Sequence, residues 1–233
     1  MTSRRSCRSV TIRILLFDFD LTLADSATAV RTCVCHAFSQ AGLPHPEPAH
    51  VHRLIGHSLA STFAQLAPGY PTEPLVAAFL ERADEVMVDL TSLYPQVPSV
   101  LTALRQADHR LGIVSTKFRF RIEAILDRAG VTGVFDVIVG GEDVTHFKPH
   151  PEGIQRALAE LGATEPAESV YVGDSAIDGA TAAAAGVPFI GVVSGATSRA
   201  DLFAAGARDV LADLAELPGL VAREAPWLKV AGA

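Results

Sequence analysis

Two aspartates, Asp18 and Asp20, stand two residues apart where a short apolar run, Ile12-Arg-Ile-Leu-Leu-Phe17, comes to an end. Residues i and i+2 of an extended chain share a face, so a turn just past that run can bring both side chains to one cation. A second pair, Asp174 and Asp178, follows the run Ser169 to Val172. Its spacing puts Asp178 one helical turn beyond Asp174. Mg²⁺ suits such a set, because it takes hard oxygen ligands and keeps several of its waters. Asp18, Asp20 and Asp174 are the candidate ligands, and Asp178 can support Asp174 or a metal-bound water from behind. Two further polar groups follow apolar runs: Ser115-Thr116-Lys117 after Arg110 to Val114, and Lys148-Pro149 in the loop after Val134 to Val139. A phosphate dianion brought to these carboxylates would be repelled by about 4 kcal/mol per charge pair at 4 Å and an effective dielectric near 20. Mg²⁺ and Lys148 are the countercharges, while Ser115 and backbone N–H groups can hold the remaining oxygens. A carboxylate aimed at phosphorus is a covalent nucleophile. Taken singly, Asp174 or Ser115 reads as a helix cap; all four groups past strand ends read as one site.

These residues need elements to position them. After residue 94, short β-branched runs alternate with helical patterns: helices near 97–107, 119–129, 151–161 and 177–185, and strands near 110–114, 134–139, 169–172 and 189–193. A weaker helix, a strand near 208–211 and a last helix follow. Such alternation predicts an open, mostly parallel sheet with helices on both faces, where ligands bind outside the carboxyl ends of the strands. Between the first strand and residue 93 the pattern is helical throughout, at 27–41, 49–66 and 73–92, broken by prolines 44, 46, 48, 68, 71 and 74. The expected architecture is α/β: a Rossmann-like core (1–26 and 94–233) with an inserted all-helical cap (27–93). The two crossings, near Asp25-Ser26 and Leu93-Tyr94, make a hinge.

Composition narrows the classes. The 233 residues carry a net charge of −7, which argues against nucleic acid or an anionic membrane surface as a partner. No stretch reaches the ~20 apolar residues of a membrane span. The basic start, Met1 to Arg8, lacks the apolar run of a secretory signal and reads as a frayed arm; the expected location is the cytoplasm, and the expected state a monomer or homodimer. Cys7, Cys33 and Cys35 are odd in number and read as free thiols. Only three lysines occur, Lys117, Lys148 and Lys229, against sixteen arginines, which singles out the two that lie past strand ends.

Together, Asp18-Phe-Asp20-Leu-Thr22-Leu23, Ser115, Lys148-Pro149 and Gly173-Asp174-Ser-Ala-Ile-Asp178 resemble the four motifs of the haloacid dehalogenase-like superfamily, in the right order, from Ile12 to Val193. The resemblance implies roles. Asp18 is the nucleophile and a metal ligand. Asp20 is the general acid and base and meets the metal through its carbonyl. Ser115 binds the phosphoryl group, Lys148 steadies nucleophile and phosphate, Asp174 binds Mg²⁺ and Asp178 supports it. The helical insert resembles the cap of the phosphoglycolate phosphatase-like branch, which closes over the site and reads the substrate. Leu21 and Gln96 stand where glycine is commoner; neither touches a proposed catalytic group.

The expected activity is Mg²⁺-dependent hydrolysis of a small phosphorylated metabolite, a phosphoglycolate-like phosphomonoester, through an aspartyl phosphate. An inorganic pyrophosphatase or a phosphomutase of the same superfamily stays open, as does a non-catalytic phosphometabolite-binding protein. The second aspartate disfavours dehalogenation, and a cap without lysine disfavours Schiff-base phosphonate cleavage. Candidate substrate readers are Thr116 and Lys117 on the core and Arg53 and His57 in the cap; the cap pair reads equally well as solvated helix residues. His45, His50 and His52 read as a proline-rich loop rather than a zinc site, since no cysteine or carboxylate completes the set.

Overall fold

The computed structural model describes residues 12–163 and 165–223; the basic arm, Cys7 and Lys229 lie outside them. Strand β1 (Ile14–Phe17) leads to a two-residue strand β2 (Ala24–Asp25) and four helices, α1 (Ala27–Gln40), α2 (Pro48–Arg53), α3 (Leu59–Leu66) and α4 (Thr72–Val86). Strand β3 (Ser92–Leu93) returns the chain to the core. There follow α5 (Val97–Gln106), β4 (Arg110–Val114), α6 (Arg119–Arg128), β5 (Val137–Val139), α7 (Glu152–Glu160) and β6 (Ser169–Gly173). The chain continues through α8 (Ala176–Ala185), β7 (Phe189–Val192), α9 (Arg199–Ala204), β8 (Ala207–Leu211) and α10 (Leu217–Ala222).

Six strands form one parallel sheet in the order β5-β4-β1-β6-β7-β8. From β1 the chain builds outward through β4 and β5, then crosses to the other side for β6, β7 and β8. The order therefore reverses at β1, and the crevice that such a switch opens lies past the carboxyl ends of β1, β4 and β6. Strand β1 is buried on both faces, as the run Ile-Leu-Leu-Phe requires. Leu15 and Phe17 point to the layer of α5, α6 and α10, and Ile14 and Leu16 to that of α7, α8 and α9. Each such side chain removed from water contributes roughly 1.5–3 kcal/mol.

The helical insert has a core of its own, with Cys33, Val34, Phe38, Phe63, Leu75, Phe79 and Met87 buried together. Where the sequence pattern predicts one helix over 49–66, the structure has two. Gly56 takes φ of +95°, a left-handed conformation that few side chains adopt, and Ser58 starts α3 anew by accepting a hydrogen bond from Ser61 N–H at 3.3 Å. The helix expected to reach residue 92 ends at Val86, and the strand expected from 134 begins at Val137. The antiparallel pair β2–β3 leaves no pattern in the sequence, since two residues carry no periodicity; it clasps the two crossings side by side, Ala24 opposite Leu93. No helix among the described residues is long and apolar enough to cross a membrane.

Candidate active site

The parallel ladder carries the first aspartate into the crevice. Asp18 N–H donates to Val172 O at 2.9 Å, extending the β1–β6 pairing by one residue, and Asp18 is 1% exposed. Lys148 Nζ stands 2.8 Å from Asp18 Oδ1 and 2.8 Å from Asp178 Oδ1. Asp178 Oδ2 accepts from Ser175 N–H at 3.2 Å and from the Ser175 hydroxyl. Tyr171 Oη lies 2.9 Å from Val114 O and 3.3 Å from Asp178 Oδ1. Asp178 thus completes the capping box of α8 and anchors Lys148. The spacing of Asp178 suggests support for Asp174 or for a metal-bound water; the structure also pairs it with Lys148, while Ser175 holds its other oxygen.

Asp174 does not cap α8; Ser175 does. Its Oδ1 accepts from Thr22 Oγ1 at 2.9 Å. Its Oδ2 lies against Gly195, where a Cβ would sit 1.9 Å away. Only glycine fits there. Ser115 is buried at the end of β4, and its Oγ accepts from Lys117 N–H at 3.3 Å. Asp20 is buried, and its Oδ1 lies 3.1 Å from Lys117 Nζ, which also lies 3.1 Å from Met87 Sδ.

Burial pushes Asp18 up to about 7, against the opposing pull of Lys148, and Asp178 and Asp20 push further the same way. Asp174 is held well above the usual carboxylate range, by burial first and then by Asp178 and Asp18. Burial alone would lower Lys148, but Asp178 and Asp18 outweigh it and hold the ammonium above its ordinary value. Burial is joined by an excess of negative charge: Asp18, Asp174 and Asp178 offer oxygens within 4.8 Å of one another against one ammonium. Two uncompensated charges and an all-carboxylate donor set fit a divalent, oxygen-seeking cation. Asp18 and Asp174 have oxygens to spare for it, while Asp178 is occupied by Lys148 and Ser175. The Asp20 carboxylate is turned to Lys117, so its backbone carbonyl is what remains for a cation.

Beside this cluster a cavity of about 70 Å³ lies between insert and core. Val34, Leu54, Leu59 and Phe79 line it from the insert, with His57; Asp20, Thr116, Lys117 and Arg121 close it from the core. Burial lowers His57 below the ordinary histidine value, favouring the neutral ring. Arg53 is exposed and is not among the lining residues. The structure therefore brings Asp18, Asp20, Ser115, Thr116, Lys117, Lys148, Asp174, Asp178 and His57 around one crevice, and leaves Arg53 outside. Thr22, Tyr171 and Gly195 also meet the site, at Asp174, Asp178 and Asp174 respectively. A tyrosine amid Val170 and Val172 is a visible signal of a buried hydroxyl with a task; Gly195 carries none. Cys33 and Cys35 are free, and burial raises the Cys33 thiol to about 11, so it is inert at neutral pH.

Residues 15–192 match the profile of the family described as haloacid dehalogenase-like hydrolase. A phosphoglycolate phosphatase from Yersinia pestis is 33% identical over 91% of this chain and 97% of its own length. The pyrophosphatase PpaX of Oceanobacillus iheyensis is 32% identical over 71% of this chain and 76% of its own length. Among solved structures, a haloacid dehalogenase-like hydrolase from Bacteroides fragilis is 38% identical and superimposes with a TM-score of 0.86, covering 89% of this chain and 100% of that one.

Proposed function

The chain belongs to the haloacid dehalogenase-like hydrolase family, and on that premise we propose that it is a Mg²⁺-dependent phosphatase of a small phosphomonoester of the phosphoglycolate kind. The observation that carries the reading is the convergence of Asp18, Lys148 and Asp174, from loops after three different strands, on one buried and over-negative pocket. In this reading residues 27–93 form a cap hinged at β2–β3, and Mg²⁺ is held by Asp18, Asp174 and the Asp20 carbonyl. When bound, the ion neutralises the carboxylates and polarises the phosphoryl group.

The chain's own residues do the rest. Asp18 forms an oxygen–phosphorus bond as the ester oxygen departs, giving an aspartyl phosphate. Asp20, protonated, gives its proton to that leaving oxygen, and as a carboxylate then takes one from the water that breaks the acyl phosphate. Lys117, 3.1 Å from Asp20, holds it in place. Lys148 neutralises Asp18 and a phosphoryl oxygen, and Asp178 and Tyr171 fix the ammonium. The Ser115 hydroxyl and the Thr116 N–H donate to the remaining oxygens. The cavity takes the organic part of the substrate. Its volume of about 70 Å³ argues for a small metabolite. The PpaX relative supports inorganic pyrophosphate as a second reading; valine, leucine and phenylalanine on the insert side suit a carbon body, while Lys117 and Arg121 on the core side suit an anionic end.

The test is phosphate release from a panel including 2-phosphoglycolate, pyrophosphate and alkyl phosphates, with and without chelator. Turnover of a small monoester that chelator removes and Mg²⁺ restores is the expected result. Undiminished activity in excess chelator would refute the metal, and no turnover of any member would refute the phosphatase.

A further inference from the structure

A second set of metal-ligating side chains lies outside the acidic pocket, on the exposed loop that carries Lys148. His146 and His150 flank that lysine in the sequence His146-Phe-Lys-Pro-His150-Pro-Glu152. Their rings lie 4.5 Å apart between centroids, tilted by 32°. Glu152 Oε2 is 2.8 Å from His146 Nδ1 and 4.0 Å from His150 Nδ1. All three residues offer ligand atoms within 4.8 Å of one another. We propose that His146, His150 and Glu152 form a surface site for a borderline transition-metal ion, Zn²⁺ above all.

The donor chemistry separates the two clusters. The buried site is all carboxylate and suits a hard cation. Two imidazoles with one carboxylate make a set that Zn²⁺ prefers, with water in the fourth position. Geometry supports the assignment. Ligand atoms about 2.0–2.1 Å from a tetrahedral ion lie about 3.3 Å from each other. The two Glu152–histidine separations of 2.8 and 4.0 Å bracket that value, so both shift by less than an ångström. Much of the set is already fixed. Glu152 Oε1 accepts from Thr145 N–H at 2.8 Å and Oε2 from His146 N–H at 2.9 Å. Pro149 and Pro151 stiffen the chain between the ligands, which lowers the ordering cost of binding. His150 Nδ1 gives up only the Glu152 N–H, now 3.2 Å away. The side chains of both histidines are about half exposed or more, so the ion and its water have access. Once bound, the ion clamps the loop on both sides of Lys148.

The test is calorimetric titration of the whole chain with ZnCl₂ in saturating Mg²⁺, alongside His150→Ala and His146→Ala, both at exposed positions. The expected result is one zinc equivalent bound by the wild type and lost in both variants. Zinc at a hundredfold excess over its dissociation constant should raise the wild-type melting temperature by about 5 °C and leave the variants unmoved. Co²⁺ in place of zinc should give the visible absorption of a tetrahedral site in the wild type alone. Phosphatase turnover in Mg²⁺ without zinc should be the same in all three proteins. Equal zinc stoichiometry and affinity in wild type and variants would place the ion elsewhere, and no binding at 100-micromolar zinc, on the order of a weak adventitious contact, would overturn the site outright.

Discussion

Asp18 is poorly accommodated as an anion until a cation joins it. Burial moves it from 3.8 to about 7. Between those values the folded chain keeps a proton that the unfolded chain has lost, so the contribution of Asp18 to stability is full below 3.8 and is lost as the pH rises through about 7. Under the proposed function Mg²⁺ would bind the ionised form and reverse this. The rise in melting temperature on adding Mg²⁺ should therefore be larger at pH 8 than at pH 5.5, as scanning calorimetry would show; equal rises would mean that the ion binds away from Asp18. Asp18→Asn should abolish turnover and the phosphorylated enzyme. Asp20→Asn should still become phosphorylated, with steady-state turnover lower by roughly 100-fold or more, the usual worth of a positioned acid or base. Near-normal turnover by Asp18→Asn, with reversion of the amide to the acid excluded by mass spectrometry, would remove it as nucleophile.

Short elements hold these groups in place, and their details matter more than their length. The segment after β7 touches the site at Gly195, which leaves no space for a Cβ beside Asp174 Oδ2. Gly195→Ala must displace that carboxylate. A drop in Mg²⁺ affinity of about tenfold or more is expected, in keeping with the losses seen when the support of a metal ligand is removed. A Mg²⁺ titration that matches the wild type would show that Asp174 has freedom to move. The turn after Asp20 has the opposite character. Leu21 sits at φ of +60°, which costs a non-glycine residue about 1–2 kcal/mol. Its side chain is 2% exposed, and that burial stabilises by roughly 1.5–3 kcal/mol. Leucine in place of glycine is thus offset by packing, and Leu21→Gly is expected to be slightly destabilising by chemical denaturation rather than stabilising.

Across the whole molecule, insert and core meet through side chains of α6 and the loop before it. Thr116 Oγ1 donates to Gly56 O at 3.2 Å, Lys117 Nζ lies 3.1 Å from Met87 Sδ, Arg121 pairs with Asp84 at 2.6 Å, and Arg128 donates to Asp89 O and Thr91 O near β3. The Asp84 side chain is 65% exposed and that of Arg121 is 6% exposed, so water screens the pair from one side only. Under the proposed function these contacts would break as the insert opens at the β2–β3 clasp, and the cavity between the two parts would select by size. Leu59→Trp, which fills it from the insert side, should raise KM for the ester of a larger alcohol several-fold and barely change that for methyl phosphate. Arg53→Ala, at an exposed position off the cavity wall, should leave KM for both within about twofold, surface changes of this kind being small. A large effect of Arg53→Ala on an anionic substrate would mean that α2 turns inward when substrate binds.

Much of this is present in the chain itself. Alternating strand and helix patterns, and the apolar run before Asp18, dictate a parallel sheet whose strand ends must meet; from that follows the gathering of Asp18, Ser115, Lys148 and Asp174. Those are properties of local periodicity, read one segment at a time. Pairwise geometry is different, because it depends on how distant segments approach. Nothing local says that Asp178 anchors Lys148 rather than Asp174, that Lys117 pairs with Asp20, or that Arg53 faces solvent while His57 lines the cavity. Gly56 breaking one expected helix into two, and the two-residue clasp at the hinge, are likewise too short to leave a pattern. Gly195 is the sharpest case: a glycine is unremarked in any loop, and only the packing of β7 beside β6 sets it against a carboxylate twenty-one residues earlier.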